Sequence, residues 1–482
     1  MGDLYVPLDH GRGGVAAQVA SGLRDAVCSG RLAPGDRLPS SRDLAADLGV
    51  SRGVVVEAYE QLVAEGFLVS RVGSGTRVAP AATRDRAAPA GDQEPYHDYQ
   101  SRATSPDLGH FPRERWLAAL RHALTTIPSD ALDYGDPGGI PELREELAGY
   151  LRRVRAADVD PANLIIVGGV AQGLSLVLHV LAERDGRPGR GDREGRADPE
   201  GRADRAGRFG RGGRLGLAVE DPTSHRQVPL LRRAGADLLP VPVDERGLDV
   251  AALRDRPARA VLVTPAHQYP TGVVLSPARR AALVEWAREA DAIVLEDDYD
   301  AEFRFDRDPV GCLQGLAPDR VVLAGSVSKA LAPGLRLGWV VAPPALAGAI
   351  RLARGEFDLG SPVIEQYALA GFLRTGGYDR HLRRMRREYR RRRDALVRAL
   401  AEHLPEVRVR GIEAGLHACL DLPAGWDEGR VVATARELGL AVEAVGPMRF
   451  APGRPAVAVG FSRLPVHRAA EAVRELKLRM SG

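Results

Sequence analysis

The chain has 482 residues, 44% of them apolar, and a formal net charge of +3. That length exceeds what one hydrophobic core usually supports, so at least two folded domains are expected and pervasive disorder is excluded. The small charge permits a polyanionic partner without requiring one, and the surplus of Arg over Lys, with 54 Gly and 34 Pro, reads as coding bias.

Cys28, Cys312 and Cys419 form no CxxC pair, so neither a disulfide framework nor a thiolate zinc site is indicated, and no metal site is expected. No apolar run approaches the ~20 residues of a membrane span, and the start of the chain carries no basic-then-apolar leader pattern. A cytoplasmic protein without membrane contact is expected.

Residues 1–79 alternate helical periodicity with turn signals. Val15, Val19, Leu23, Ala26 and Val27 mark one helix face, which the GRLAPG turn at 30–35 ends. Ser40 with Asp43 is a capping-box signature, Leu44 and Leu48 supply the buried face of that second helix, and Gly49 makes the turn. Ser51 is expected to cap a third helix that turns Val54, Val55, Ala58, Tyr59, Leu62 and Val63 inward. Two short apolar runs around RVGSG then predict a hairpin whose glycines allow close approach to a phosphate backbone. The unit is a helix-turn-helix with a wing.

Residues 80–95 are an Ala/Pro/charged linker. Over 96–482, β-branched runs at 164–167, 260–264, 292–296 and 321–324 alternate with amphipathic helical segments, predicting an α/β domain with a mostly parallel, helix-covered sheet. A small subdomain is expected over about 345–482. Residues 184–214 repeat Gly, Arg and Asp with almost no apolar side chain, so they cannot offset their ordering entropy by burial and are expected to form a disordered surface insertion. The helix at 380–398 is basic on most faces and is expected to be solvated.

Two segments carry chemistry. Gly168 and Gly169 lie where a strand hands over to a helix, whose free amide groups make a phosphate seat. Lys329 lies on a turn flanked by Ser326 and Ser328, with Arg336 seven residues later, which gathers an amine nucleophile and oxyanion ligands. A phosphorylated aldehyde needs both, and a neighbouring cation helps lower the lysine pKa.

The stretches GRLAPGDRLPSSRDLAADLGVSR and EAYEQLVAEGFLVSRVGSGTRV resemble the GntR-type winged helix-turn-helix. This implies a double-stranded DNA operator as partner, contacted by Arg42, Ser51, Arg52, Gly73, Ser74, Gly75 and Thr76. The later motifs resemble fold-type I aminotransferases, which bind pyridoxal phosphate, and their order behind a GntR-type head resembles the MocR family of regulators. Carried over by position, Lys329 implies the Schiff base with pyridoxal phosphate, Asp297 the partner of the pyridine nitrogen and Tyr299 that of the ring O3′. Gly169, Val170 and Ala171 imply amide donors to the phosphate, joined by Ser326, Ser328 and Arg336. Arg226 implies an effector contact. The resemblance also implies a homodimer with the head packed across subunits, and an effector that is pyridoxal phosphate or an amine joined to it.

Four positions depart from the aminotransferase pattern. Tyr269, in HQYPTG, stands where Asn usually supports the ring, with His267 or Gln268 as substitute partners; Ser224 replaces an aromatic that covers the ring; Ala171 replaces a common polar residue in the phosphate turn; and Ala458 replaces the arginine that grips the substrate carboxylate, with Arg449, Arg454 or Arg463 on flanking loops as alternatives. Cofactor capture reads as intact and amino-acid recognition as eroded, so a ligand-responsive DNA-binding regulator is expected ahead of a working aminotransferase carrying a DNA-binding head.

Overall fold

The computed structural model describes residues 8–9, 14–71, 75–80, 102–186, 214–305 and 310–481. Residues 81–95 of the linker, 187–213 of the insertion, and Gly73 and Ser74 of the expected wing lie outside the described residues. The chain divides into two units, Met1–His97 and Asp98–Gly482.

In the first unit, α1 (Val15–Cys28), α2 (Ser41–Leu48) and α3 (Arg52–Ala64) precede an antiparallel pair, β1 (Leu68–Arg71) and β2 (Gly75–Val78). Val19, Leu23 and Val27 of α1 pack with Leu44, Val55, Tyr59 and Leu62 and with Leu68 and Val78 of the hairpin. The Ser40 hydroxyl accepts from the Asp43 amide at 3.2 Å and donates to its carboxylate at 2.7 Å, fixing the start of α2. Gly49 takes a φ of 66° and ends that helix.

Two expectations need correction. Ser51 stands at the N-cap of α3, but its side chain makes no capping hydrogen bond. Val63 is exposed, because it falls beside the apolar stripe of α3 and points to solvent.

The second unit opens with α4 (Arg113–Thr126) and α5 (Pro141–Arg155), then alternates strand and helix: β3 (Leu164–Val167), α6 (Val170–Gly186), β4 (Leu215–Asp221), α7 (Gln227–Arg233), β5 (Ala236–Asp244), β6 (Gly247–Leu248), α8 (Val250–Arg254), β7 (Ala260–Val263), α9 (Pro277–Glu289), β8 (Ile293–Asp297), β9 (Val321–Ser326) and β10 (Gly338–Val341). These eight strands form one sheet in the order β3-β10-β9-β8-β7-β4-β5-β6. Neighbours from β9 through β5 are parallel, whereas β10 and β6 run antiparallel to theirs. The sheet is mostly parallel, and all residues of β3, β7, β8 and β9 are buried, as its helix-covered faces require.

After β10 come α10 (Pro344–Asp358), α11 (Val363–Arg374) and α12 (Gly377–His403). A four-stranded antiparallel sheet follows, built from β11 (Arg408–Arg410), β12 (His417–Asp421), β13 (Ala441–Ala444) and β14 (Ala456–Gly460), with α13 (Glu428–Glu437) and α14 (Ala469–Ser481) beside it. α10 lies past the boundary expected near 345, yet its Leu346, Ala347 and Ile350 pack with Ile165, Val167 and Val340 of the large sheet.

The basic helix is not solvated on most faces. Tyr378, Leu382, Met385, Tyr389, Leu396 and Leu400 of α12 are buried, and its arginines reach backbone carbonyls: Arg386 donates to Glu302 O at 3.0 Å, Arg393 to Ile412 O at 2.7 Å, and Arg390 and Arg392 to Phe305 O and Ser462 O. Charge alone concealed this, because the acceptors come from other segments. Among the described residues no helix is long and apolar enough to cross a membrane.

Candidate functional site

In a doubly wound sheet the carboxyl ends of the strands face the crevice where ligands bind. Asp297 is the last residue of β8, Ser326 the last of β9, and Gly168 and Gly169 follow β3. The topology thus brings together residues that span about a third of the chain.

Asp297 is 6% exposed. Its Oδ2 accepts from Gln227 Nε2 at 3.0 Å, and its Oδ1 is buried with no hydrogen-bond partner among the described residues. Burial raises its carboxyl to about 6, against the Gln227 hydrogen bond. A protonated ring nitrogen would complete this carboxylate, so the pocket fits a pyridine.

Lys329 Nζ donates to Thr104 Oγ1 at 3.3 Å. Burial, with Arg102 nearby, lowers the lysine from 10.5 to about 8, while Asp300, Asp297 and Glu443 act against the shift. An amine so placed is a nucleophile near neutral pH.

Gly169 adopts a φ of +114°, which favours glycine, and a Cβ there would lie 3.3 Å from Arg336 Nη2. The arginine fork thus lies over the start of α6. The amides of Gln172 and Gly173 turn back to Gly169 O, while those of Val170 and Ala171, in the first turn of α6, have no carbonyl one helical turn behind them. Ser328 N donates to Ser326 Oγ at 3.4 Å, which places both serines in one turn. This cradle of amides, hydroxyls and a guanidinium suits a phosphate dianion.

Tyr299 OH lies 3.2 Å from His267 Nδ1, which is also 3.0 Å from Asp300 Oδ2, and His267 Nε2 is 3.2 Å from Gly411 O. His267, Asp300 and His417 bring their ligating atoms within 4.8 Å of one another, but both nitrogens of His267 already face these partners. Burial, then the neighbouring His267, keeps His417 well below its ordinary value. Of His267 and Gln268, it is His267 that contacts Tyr299. Gln268 is turned inward, donating to Pro222 O at 2.8 Å and Tyr269 O at 2.7 Å and accepting from Thr271 Oγ1 at 2.6 Å.

Tyr269 itself points elsewhere. Its hydroxyl donates to Glu443 Oε2 at 3.1 Å, beside Ala103 N at 2.8 Å, and Arg226 Nη1 donates to Glu443 Oε1. Ala458 is the cross-strand partner of Glu443 between β13 and β14. Ser224 O accepts the Gln227 amide at 2.9 Å and opens α7.

In the first unit, Arg42, Ser51, Arg52 and Gly75 are exposed and Thr76 is half-buried. Arg52 Nε donates to Ser41 Oγ at 3.3 Å, linking the starts of α2 and α3.

Gln227, Thr104 and Glu443 were not singled out from sequence. Gln227 adjoins Arg226 and was within reach of that reading, whereas Thr104 and Glu443 enter from segments without a motif.

A helix-turn-helix head followed by a lysine-bearing aminotransferase fold defines the class: a DNA-binding domain and an aminotransferase-like domain in one chain. The family model "Bacterial regulatory proteins, gntR family" matches residues 15–78, and "Aminotransferase class I and II" matches residues 212–451. The chain is 36% identical over 457 residues to the HTH-type pyridoxine biosynthesis transcriptional regulator PdxR of Corynebacterium glutamicum, covering 92% of this chain and 91% of that one. It is 31% identical over 418 residues to the probable rhizopine catabolism regulatory protein MocR of Rhizobium meliloti, covering 81% and 78%. Among solved structures, it matches the kynurenine aminotransferase of Pyrococcus horikoshii with a TM-score of 0.66 and 26% identity, over 78% of this chain and 89% of that one. The chain belongs to the MocR/PdxR-type HTH transcriptional regulators, with a GntR-type DNA-binding head and an aminotransferase-like domain.

Proposed function

We propose that this regulator senses pyridoxal phosphate seated on Lys329, and that the loaded and unloaded states differ in operator affinity. The observation that carries the reading is the pairing of a buried, pKa-lowered Lys329 with Asp297, whose buried Oδ1 has no partner. When bound, the cofactor supplies an aldehyde open to amine attack and an electron-withdrawing ring.

The chain's own residues then have distinct tasks. Lys329 offers the amine, and Asp297, held by Gln227, presents Oδ1 to the ring nitrogen. Tyr299, supported by His267, offers its hydroxyl to the ring oxygen. Gly169, Val170 and Ala171 offer amides to the phosphate, with Ser326, Ser328 and Arg336 around it. Arg226 marks the effector side. On the DNA side, Arg42, Ser51, Arg52, Gly75 and Thr76 form the proposed footprint, to which the family resemblance adds Gly73 and Ser74. A cytoplasmic homodimer completes the reading. The name of the C. glutamicum relative, which refers to pyridoxine biosynthesis, supports a signal at the level of the cofactor.

A working aminotransferase is the weaker reading, since Ala458 and the engaged Arg226 leave the substrate carboxylate without its anchor. The test is the visible absorption spectrum of the full-length protein with pyridoxal phosphate, beside Lys329→Ala, followed by operator binding with and without the cofactor. A band in the parent that the variant lacks, with an operator affinity that changes on loading, is expected. A band in neither protein, or an affinity indifferent to the cofactor, rejects the proposal.

A further inference from the structure

We infer that Glu443 is a resident carboxylate that takes the place of an amino-acid α-carboxylate, so that the site admits the phosphorylated pyridine aldehyde and turns amino acids away. The inference rests on the cofactor reading above and names the ligand class of that same site.

Three donors converge on this one side chain. Arg226 Nη1 donates to Oε1, and Tyr269 OH and Ala103 N donate to Oε2 at 3.1 and 2.8 Å. Glu443 is only 7% exposed, and these three donors fill its lone pairs, which is how a carboxylate at that depth is accommodated. A bound amino acid would ask for the same contacts: a guanidinium on one carboxylate oxygen, a hydroxyl and an amide on the other.

Register explains how the substitution arises. Glu443 on β13 is directly opposite Ala458 on β14, and side chains so paired stand on one face of the sheet with Cβ atoms about 5 Å apart. The alanine methyl leaves the glutamate room, and the carboxylate stands beside the position where an arginine would otherwise project. One residue has lost the positive charge, and its cross-strand neighbour supplies a negative one.

The carboxylate is also close to the reactive amine. Ala103 donates to Glu443 while the next residue, Thr104, accepts from Lys329 Nζ, so consecutive residues tie the two groups together. Lys329 feels the charge of Glu443 directly. Arg102, the cation that acts on that lysine, is itself engaged. An amino acid entering beside Lys329 therefore meets a negative charge and an occupied arginine. To bind, it must displace Glu443 into burial without a partner, which is costlier than leaving the pair intact.

The test uses full-length protein and L-alanine or L-glutamate as the probe. With pyridoxal phosphate bound, the visible band of the parent is expected to stay unchanged on titration with either amino acid. In Glu443→Ala, which frees Arg226 and opens the space, amino-acid affinity is expected to rise by about tenfold or more, the equivalent of one charge-assisted hydrogen bond. The double variant Glu443→Ala with Arg226→Ala is expected to lose that gain. Since Glu443→Ala also strips partners from buried groups, Glu443→Gln keeps an acceptor for Ala103 N, and its affinity is expected to move in the same direction; melting temperatures establish which variants are folded.

Calorimetric titration of the cofactor-free proteins with the same amino acids makes the inference independent of loading. A parent without a visible band rejects the cofactor reading, while the calorimetry still decides the role of Glu443. Folded variants that bind amino acids no more tightly than the parent, or a parent that already binds them as tightly, overturn the inference.

Discussion

A lysine amine attacks a carbonyl only when unprotonated, so the environment of Lys329 controls how readily it captures an aldehyde. Burial is the main cause of its fall to about 8, and the positive charge of Arg102 adds to it. The folded value lies below the ordinary 10.5, so the reactive form is lost as pH falls through 8 and gained as pH rises. The rate of pyridoxal phosphate capture, followed by stopped-flow absorbance, is therefore expected to climb with pH and level off with a midpoint near 8. Arg102→Met is expected to move that midpoint upward, and a midpoint unchanged in this variant contradicts the electrostatic account. Lys329, Asp297, Tyr299 and Arg336 were legible from sequence because each sits inside a contiguous motif. Glu443 was not, because its meaning comes from a cross-strand pairing with Ala458 and from donors on three other segments.

Helix α12 shows how an element can mislead when read by charge alone. Its periodic arginines look solvated, yet Arg392, whose side chain is 9% exposed, bonds Glu388 at 2.9 Å and Asp107 at 2.9 Å, and Tyr389 OH accepts the Asp107 amide at 2.9 Å. Removing one partner of such a buried pair leaves the other charge poorly compensated. Arg392→Met is expected to destabilise the protein by about 3 kcal/mol in urea unfolding. Arg391→Ala, at a side chain 72% exposed, is expected to stay within about 0.5 kcal/mol of the parent. Equal losses at the two positions would mean that α12 acts through its total charge and not through these contacts. The strands were easier to read than this helix, because β3 and β7 are apolar throughout, β8 and β9 are apolar up to their last two residues, and all four are buried, which leaves no choice of face. The first-unit helices were read nearly as well. The miss at Ser51 has a physical source: the residue type suits a cap, but whether its hydroxyl turns back onto the helix depends on a rotamer that sequence does not specify.

At the scale of the molecule, the division into a helix-turn-helix and an α/β unit followed from the change of hydrophobic period along the chain, whereas the order of the eight strands did not, since several crossovers satisfy the same pattern. The charge of the head bears directly on how it meets DNA. Residues 1–80 hold eight arginines, no lysine and nine acidic residues, so the head has no general attraction for a phosphate backbone and must rely on a local patch. Each phosphate contact made by such a patch releases counterions and steepens the salt dependence of binding by about one unit of slope. Arg42 is exposed near the start of α2 and lies in the proposed footprint. Arg42→Ala is therefore expected to weaken binding to operator and unrelated duplexes alike, and to reduce the slope of log affinity against log salt by about 1 for each head engaged, as measured by fluorescence anisotropy. A slope unchanged by the substitution removes Arg42 from the phosphate contacts. A loss confined to the operator makes Arg42 a reader of base edges, because a phosphate contact carries no information about sequence.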